Sequence, residues 1–203
     1  MTIVDVTEDI KKKLRNSNFP PIFIENCINS KFLAIEQENS EIVGVNFVGG
    51  LLNATGIEIN KKLRGKGLSK KLLDETLEEC KKRKISFLSG VVKPSNLISI
   101  KIHFRIGYTP IFTSNFNKIE GKEIVVILPL NKKGHMMKNL MKIFNTRLGN
   151  AAFSFLLVIL RGLLKNLINF SGSEMSKIDL SYSIRNFEKV QETLKEIDLT
   201  SSD

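Results

Sequence analysis

The stretch "INKKLRGKGLSKKLLDETLEEC", residues 59–80, decides the fold. It starts as a strand, because Ile57 and Ile59 alternate with Glu58 and Asn60. It ends as an amphipathic helix, because Leu68, Leu72, Leu73, Thr76, Leu77 and Cys80 recur at three and four residues. Asp74, Glu75, Glu78 and Glu79 share the opposite face with Lys70, Lys71, Lys81 and Lys82. Between the two periods lies Arg64-Gly65-Lys66-Gly67-Leu68-Ser69, two glycines among cations. The first amides of a helix have no intrahelical acceptor, and the helix dipole makes that end electropositive. Glycine lets another group approach the backbone closely. Strand, glycine turn and helix together therefore make a place for phosphate. The competing reading is a tight β-α turn whose glycines serve only sterics.

Two phosphate motifs are excluded. The P-loop needs four residues between its glycines and then Gly-Lys-Ser/Thr, which is absent. The dinucleotide fingerprint fails because Lys70 stands where its third glycine belongs.

Upstream, Thr7 to Asn16 reads as a short helix, broken by Pro20-Pro21. Phe23 to Ile28 reads as another helical turn or two. Phe32–Ile35 and Ile42–Val48 are β-rich runs around the polar Glu38-Asn39-Ser40-Glu41, which predicts a hairpin. Leu51 to Asn60 is expected as the third strand. Downstream, Ile85–Val92 is a strand, and Pro94-Ser95-Asn96 opens a helix that Gly107 ends near Ile106. Tyr108–Thr113 and Glu123–Leu130 read as a closing antiparallel pair. The order is α-α-β-β-β-α-β-α-β-β, an α/β domain with a mixed sheet over residues 1–130.

Residues 131–203 form a helical C-terminal extension of different character. Residues 132–170 hold seven Lys or Arg and no Asp or Glu. Met136–Phe144 reads as helix. "AAFSFLLVIL", 151–160, is apolar throughout but too short to span a bilayer. Leu160, Leu163, Leu164, Leu167 and Ile168 continue one helical face. Ser171-Gly172-Ser173 reads as a linker, and residues 183–197 as a last helix with Ile184, Phe187, Val190, Leu194 and Ile197 on one side.

The 203 residues carry a net charge of +10, which speaks to partners more than to fold. Nucleic acid, an anionic membrane or a polyanionic small ligand would each suit it, and so would a plain compositional bias. Cys27 and Cys80 match no metal spacing, so no metal site is expected. Met1 to Leu14 has no apolar core segment, so a cytoplasmic protein is expected.

Arg64-x-x-Gly67-x-Ser69 resembles the Arg/Gln-x-x-Gly-x-Gly/Ala pyrophosphate turn of the GNAT superfamily, the acyl-CoA-dependent N-acyltransferases. Ser69 departs from the preferred Gly or Ala but is small. A second block, "NLISIKIHFRIGY", is similar to the family's later helix, with Asn96, Ser99, Gly107 and Tyr108 in register. The resemblance covers about residues 1–130. It implies a GNAT-like α+β fold, a mixed and mostly antiparallel sheet flanked by helices.

It also implies a reaction. Acetyl-CoA would lie where the strand of Ile57 and Ile59 splays from that of Ile85–Val92. The backbone around Ile59 would pair with pantetheine. The amides of Gly65, Lys66, Gly67, Leu68 and Ser69 would hold the pyrophosphate beside Arg64, with Asn96 and Ser99 as further coenzyme contacts. A primary amine, on a small molecule or a protein, would attack the thioester directly. His103 stands where many members carry a tyrosine acid, and Glu58 is the one carboxylate in the strand before the turn. They are the candidate acid and base, set against a packing role for His103 and plain solvent exposure for Glu58.

The alternative from another class is a non-catalytic acyl-CoA-binding module tethered by its basic extension. That extension is read first as packing on the domain or on a second copy, giving a homodimer. The second reading is peripheral contact with an anionic membrane through residues 132–170. Nucleic acid is least favoured, because residues that stack on bases are few there.

Overall fold

The computed structural model describes residues 1–50, 52–117, 121–159, 190–195 and 197. In these residues a seven-stranded, mixed and mostly antiparallel sheet runs in the order β1-β2-β3-β4-β5-β7-β6. The strands are β1 (Thr2–Val4), β2 (Ser30–Glu38), β3 (Glu41–Gly49), β4 (Ala54–Ile59), β5 (Phe87–Val92), β6 (Thr109–Asn117) and β7 (Gly121–Pro129). The helices are α1 (Glu8–Arg15), α2 (Pro21–Ile28), α3 (Leu68–Lys82), α4 (Leu97–Ile106), α5 (Lys132–Lys142) and α6 (Arg147–Ile159). A short helix, Val190–Lys195, follows. The chain forms two compact units that divide between Leu88 and Ser89, inside β5.

In the first unit, β1 to β4 form an antiparallel meander. The β2–β3 turn has Asn39 at φ 51° and Ser40 at φ 68°, with Glu38 paired to Glu41. Two residues at positive φ match the right-handed strand twist, so this turn fixes the hairpin register. The strands then alternate faces. Leu33, Ile35, Val45 and Phe47 meet α1 and α2 through Leu14, Phe19, Ile24 and Cys27. On the other face Ala34 and Ile59 meet Leu72 of α3. Burying Leu72 contributes about 1.5–3 kcal/mol.

One buried polar network ties α3 to this second face. Asn46 Nδ2 donates to Thr76 Oγ1 at 2.7 Å, and Thr55 Oγ1 donates to Asn46 Oδ1 at 2.8 Å. Thr76 in turn donates to the Leu72 carbonyl at 2.7 Å. Each polar atom is paired, so burial costs little.

In the second unit, β6 and β7 pair antiparallel, and Ile111, Phe112, Ile124, Val126 and Ile127 are buried. Phe144 lies edge-on to Phe112 at 6.5 Å and stacks on Phe153 of α6 at 4.0 Å.

Two expectations need correction. The order opens with β1, a three-residue strand with no periodicity of its own, set by pairing Thr2 with Ile35. The third strand starts at Ala54, because Asn53 takes φ 49° and bridges Lys31 to the Phe87 carbonyl. Residues 151–159 of the apolar stretch form helix within α6, whose Leu148, Phe155 and Ile159 are 86%, 67% and 62% exposed. The described part of that helix is therefore packed along one side only. The helical face 160–168, the linker 171–173 and residues 183–189 of the last helix lie outside the described residues.

Candidate functional site

The turn is built by its own dihedrals. After β4 a single 3₁₀ turn, Lys61–Leu63, is capped by Asn60, whose Oδ1 accepts from Lys62 N–H. The chain then passes through Gly65 at φ 81° and Gly67 at φ 74°. Both are left-handed, where an L side chain is strained. Gly67 is the N-cap of α3, and no side chain caps that helix. The first helical bond runs from Lys71 N–H to the Gly67 carbonyl, so the amides of Leu68, Ser69 and Lys70 have no intrahelical acceptor.

Nothing lies within 4 Å of where a Cβ on Gly65 or Gly67 would stand. The backbone is bare and open on that side. Residues 59–73 include Lys61, Lys62, Arg64, Lys66, Lys70 and Lys71 and no carboxylate, and all six cations are exposed. Uncapped amides, a fifteen-residue helix dipole and these cations make the start of α3 electropositive. A separate hollow lined by Met1, Glu36, Leu68, Lys71, Asp74 and Glu75 lies beside the same helix. Its three carboxylates make it unsuited to phosphate.

Arg64 has work inside the turn. Its Nε donates to the Ile59 carbonyl at 3.2 Å, and its Nη2 pairs with Glu58 Oε1. The ring so closed staples the end of β4 to the start of the turn. Glu58 sits on the sheet face opposite Ile57 and Ile59, with a quarter of its side chain exposed. Ile59 is buried against Leu72, and Ile57 packs beside it.

In the second unit, Asn96 caps α4, its Oδ1 accepting from Ser99 N–H at 3.0 Å. Gly107 closes the helix at φ 102°, with the Tyr108 amide donating to the His103 carbonyl. His103 Nδ1 lies 2.7 Å from the Ser99 carbonyl and 3.3 Å from Ser99 Oγ. A carbonyl only accepts, so Nδ1 carries the hydrogen. Burial holds the imidazole below the ordinary histidine value, partly offset by that carbonyl. The resting ring is thus neutral, with its lone pair on Nε2. Tyr108 stands edge-on at 4.8 Å, and Nε2 lies 3.4 Å from where a Cβ on Gly90 would be.

Residues 11–108, which include the turn, the capped helix and His103, match the model of the acetyltransferase (GNAT) family. Over that stretch, just under half of the chain, the protein is similar to the GNAT family. Solved structures agree on the fold. A GNAT family acetyltransferase from Elizabethkingia anophelis, solved with acetyl-CoA bound, is 17% identical with a TM-score of 0.51, covering 63% of this chain and 97% of that one. A GNAT acetyltransferase from Streptococcus pneumoniae is 14% identical at 0.51, covering 64% and 99%. The ribosomal-protein-S18-alanine N-acetyltransferase from Escherichia coli is 18% identical at 0.50, covering 64% and 94%. No curated protein matches the chain.

Within the matched residues, two relationships escape a reading of the sequence. The Arg64–Glu58 pair spans six residues across a strand end and a turn, which no helical spacing announces. The Ser99–His103 bond is an i, i+4 contact, so the helical reading of 96–106 could have found it. Among the described residues no group of His, Cys, Asp or Glu is placed to hold a metal ion. No described helix is long and apolar enough to cross a membrane.

Proposed function

We propose that the protein is an N-acyltransferase that moves an acetyl group from acetyl-CoA to a primary amine. One observation carries the reading: the uncapped start of α3, with two left-handed glycines whose missing side chains leave open space. A pyrophosphate needs that access, and a purely steric turn does not.

In this reading the amides of Gly65 to Ser69 hold the pyrophosphate, and Lys66 and Lys70 add charge. Backbone of Ile57 and Ile59 would flank the pantetheine, and Asn96 and Ser99 would be further contacts. When bound, the thioester supplies an activated acyl carbon. The chain's part is to position the amine and to move its proton. The neutral His103 takes a proton on Nε2 as the amine attacks and the carbon–sulfur bond breaks. The imidazolium can then return that proton to the leaving sulfur, so one residue serves both ends. Glu58 is the second candidate for the amine's proton, and its pair with Arg64 holds the carboxylate in place.

The test is a calorimetric titration with acetyl-CoA beside the Gly67→Glu variant, followed by an amine screen with thiol detection. Affinity of about micromolar order is expected. A carboxylate at the cap should weaken it about ten- to a hundredfold, the worth of charge-assisted bonds to phosphate. Wild-type protein that binds no acetyl-CoA would sink the proposal. Tight binding with no turnover on any amine would leave a binding module instead.

A further inference from the structure

We propose that α5 and α6 form a docking surface for an anionic lipid bilayer, independent of the acetyl-transfer site. Each helix is packed on one side and apolar on the other. In α5, Met141 and Gly134 are buried, while Met136 and Leu140 are 68% and 53% exposed, with Ile143 just beyond at 51%. These three recur at four and three residues, so they share one face. In α6, Phe153 stacks inward on Phe144, while Leu148, Phe155 and Ile159 face out at seven and four residues. Exposed large apolar side chains set in rows on two successive helices mark a contact surface.

Charge selects the occupant. Residues 131–159 contain Lys132, Lys133, Lys138, Lys142 and Arg147 and no Asp or Glu. Lys132 and Lys133 stand at the first turn of α5, within 60° of the Met136 direction by helical geometry, and both are exposed. Apolar side chains with a cationic rim suit the boundary between acyl chains and anionic headgroups. A second copy of the chain is a worse fit, because a two-fold interface sets each patch against itself. That would bring Lys132, Lys133 and Arg147 together with their own images, and this segment supplies no carboxylate to offset them. Neither helix, over its described residues, is long and apolar enough to cross a bilayer, and the contact proposed is a peripheral one.

The experiment is co-sedimentation of the full chain with vesicles of phosphatidylcholine alone and of phosphatidylcholine with about a third phosphatidylserine, in about 0.1 M salt. The protein should pellet with the anionic vesicles and stay in solution with the neutral ones. Joint replacement Lys132→Glu and Lys133→Glu should lower partitioning about tenfold or more. Leu148→Ser with Phe155→Ser should abolish it while the thermal unfolding midpoint holds, because both side chains are already exposed. Equal binding to both vesicle types overturns the proposal. So does an absence of vesicle binding together with self-association that Leu148→Ser and Phe155→Ser dissolve, which would assign the face to a second copy. Retention by RNA without vesicle binding overturns it as well.

Discussion

Arg64 reaches back across the turn it opens to hold Glu58, and with the same guanidinium it holds the Ile59 carbonyl. The residue that the motif would spend on phosphate also fixes the strand end from which the glycine turn departs. Glu58→Gln and Arg64→Met should each raise the dissociation constant for acetyl-CoA. Their effects should not add, with a coupling of about 0.5–1 kcal/mol in a double-mutant cycle. Urea unfolding should change by about 1 kcal/mol or less, because the Arg64 side chain is more than half exposed. Additive effects on binding would mean that the clamp does not shape the turn.

Gly67 sits at φ 74° with free space around it, so a substitution there meets backbone strain rather than a clash. Gly67→Ala should destabilise by about 1–2 kcal/mol, the cost of a left-handed L residue. Gly67→Asn should cost less, because asparagine visits that region more readily. Urea midpoints compare them, and an alanine variant as stable as the wild type would contradict the left-handed cap.

Thr76 joins Asn46 and Thr55 in a buried polar chain between α3 and the sheet. Thr76→Val keeps the shape and removes the acceptor, leaving the Asn46 amide unpaired. The expected loss is about 1–3 kcal/mol by chemical denaturation. Thr76→Ser should cost less, since the hydroxyl is retained.

The sequence carries the parts of this fold that local rules control. The glycine turn, the α3 stripe and the Asn96 and Gly107 caps each obey a spacing or a dihedral requirement within a few residues. What it does not carry is set at a distance. β1 exists because Thr2 finds Ile35, and β4 starts late because Asn53 is pinned between Lys31 and the Phe87 carbonyl. The α6 stretch is apolar on most sides, so its composition implies burial, yet only tertiary contacts determine which side is covered. The candidate site divides the same way. The amide turn is visible as a motif. The tautomer of His103 depends on where the Ser99 carbonyl points, and the setting of Glu58 depends on the path of Arg64.

Cys27 and Cys80 are both buried and unpaired. Burial pushes the Cys27 thiol far up and the Cys80 thiol up to about 12. Only thiolate alkylates, so neither should react with iodoacetamide at mild alkaline pH in the folded protein. Both should react in urea, by mass spectrometry. Fast labelling of either without denaturant would show that the α2 or α3 packing opens readily.

His103 gives a prediction in which stability and catalysis share one titration. Burial lowers its folded pKa below the unfolded value near 6.5. The unfolded chain therefore binds more protons across that interval, and stability rises with pH there. The contribution is fully present above the unfolded value and is lost as pH falls through the folded one. His103→Gln should flatten this acid-side decline in urea midpoints. If Nε2 is the proton acceptor, the same variant should lower kcat about a hundredfold, within the usual range for general-base loss. The KM for acetyl-CoA should stay near its wild-type value, and the acidic limb of the pH–rate profile should vanish. A variant that flattens the stability curve but keeps kcat and the acidic limb would make His103 a packing residue, with the proton leaving by another route.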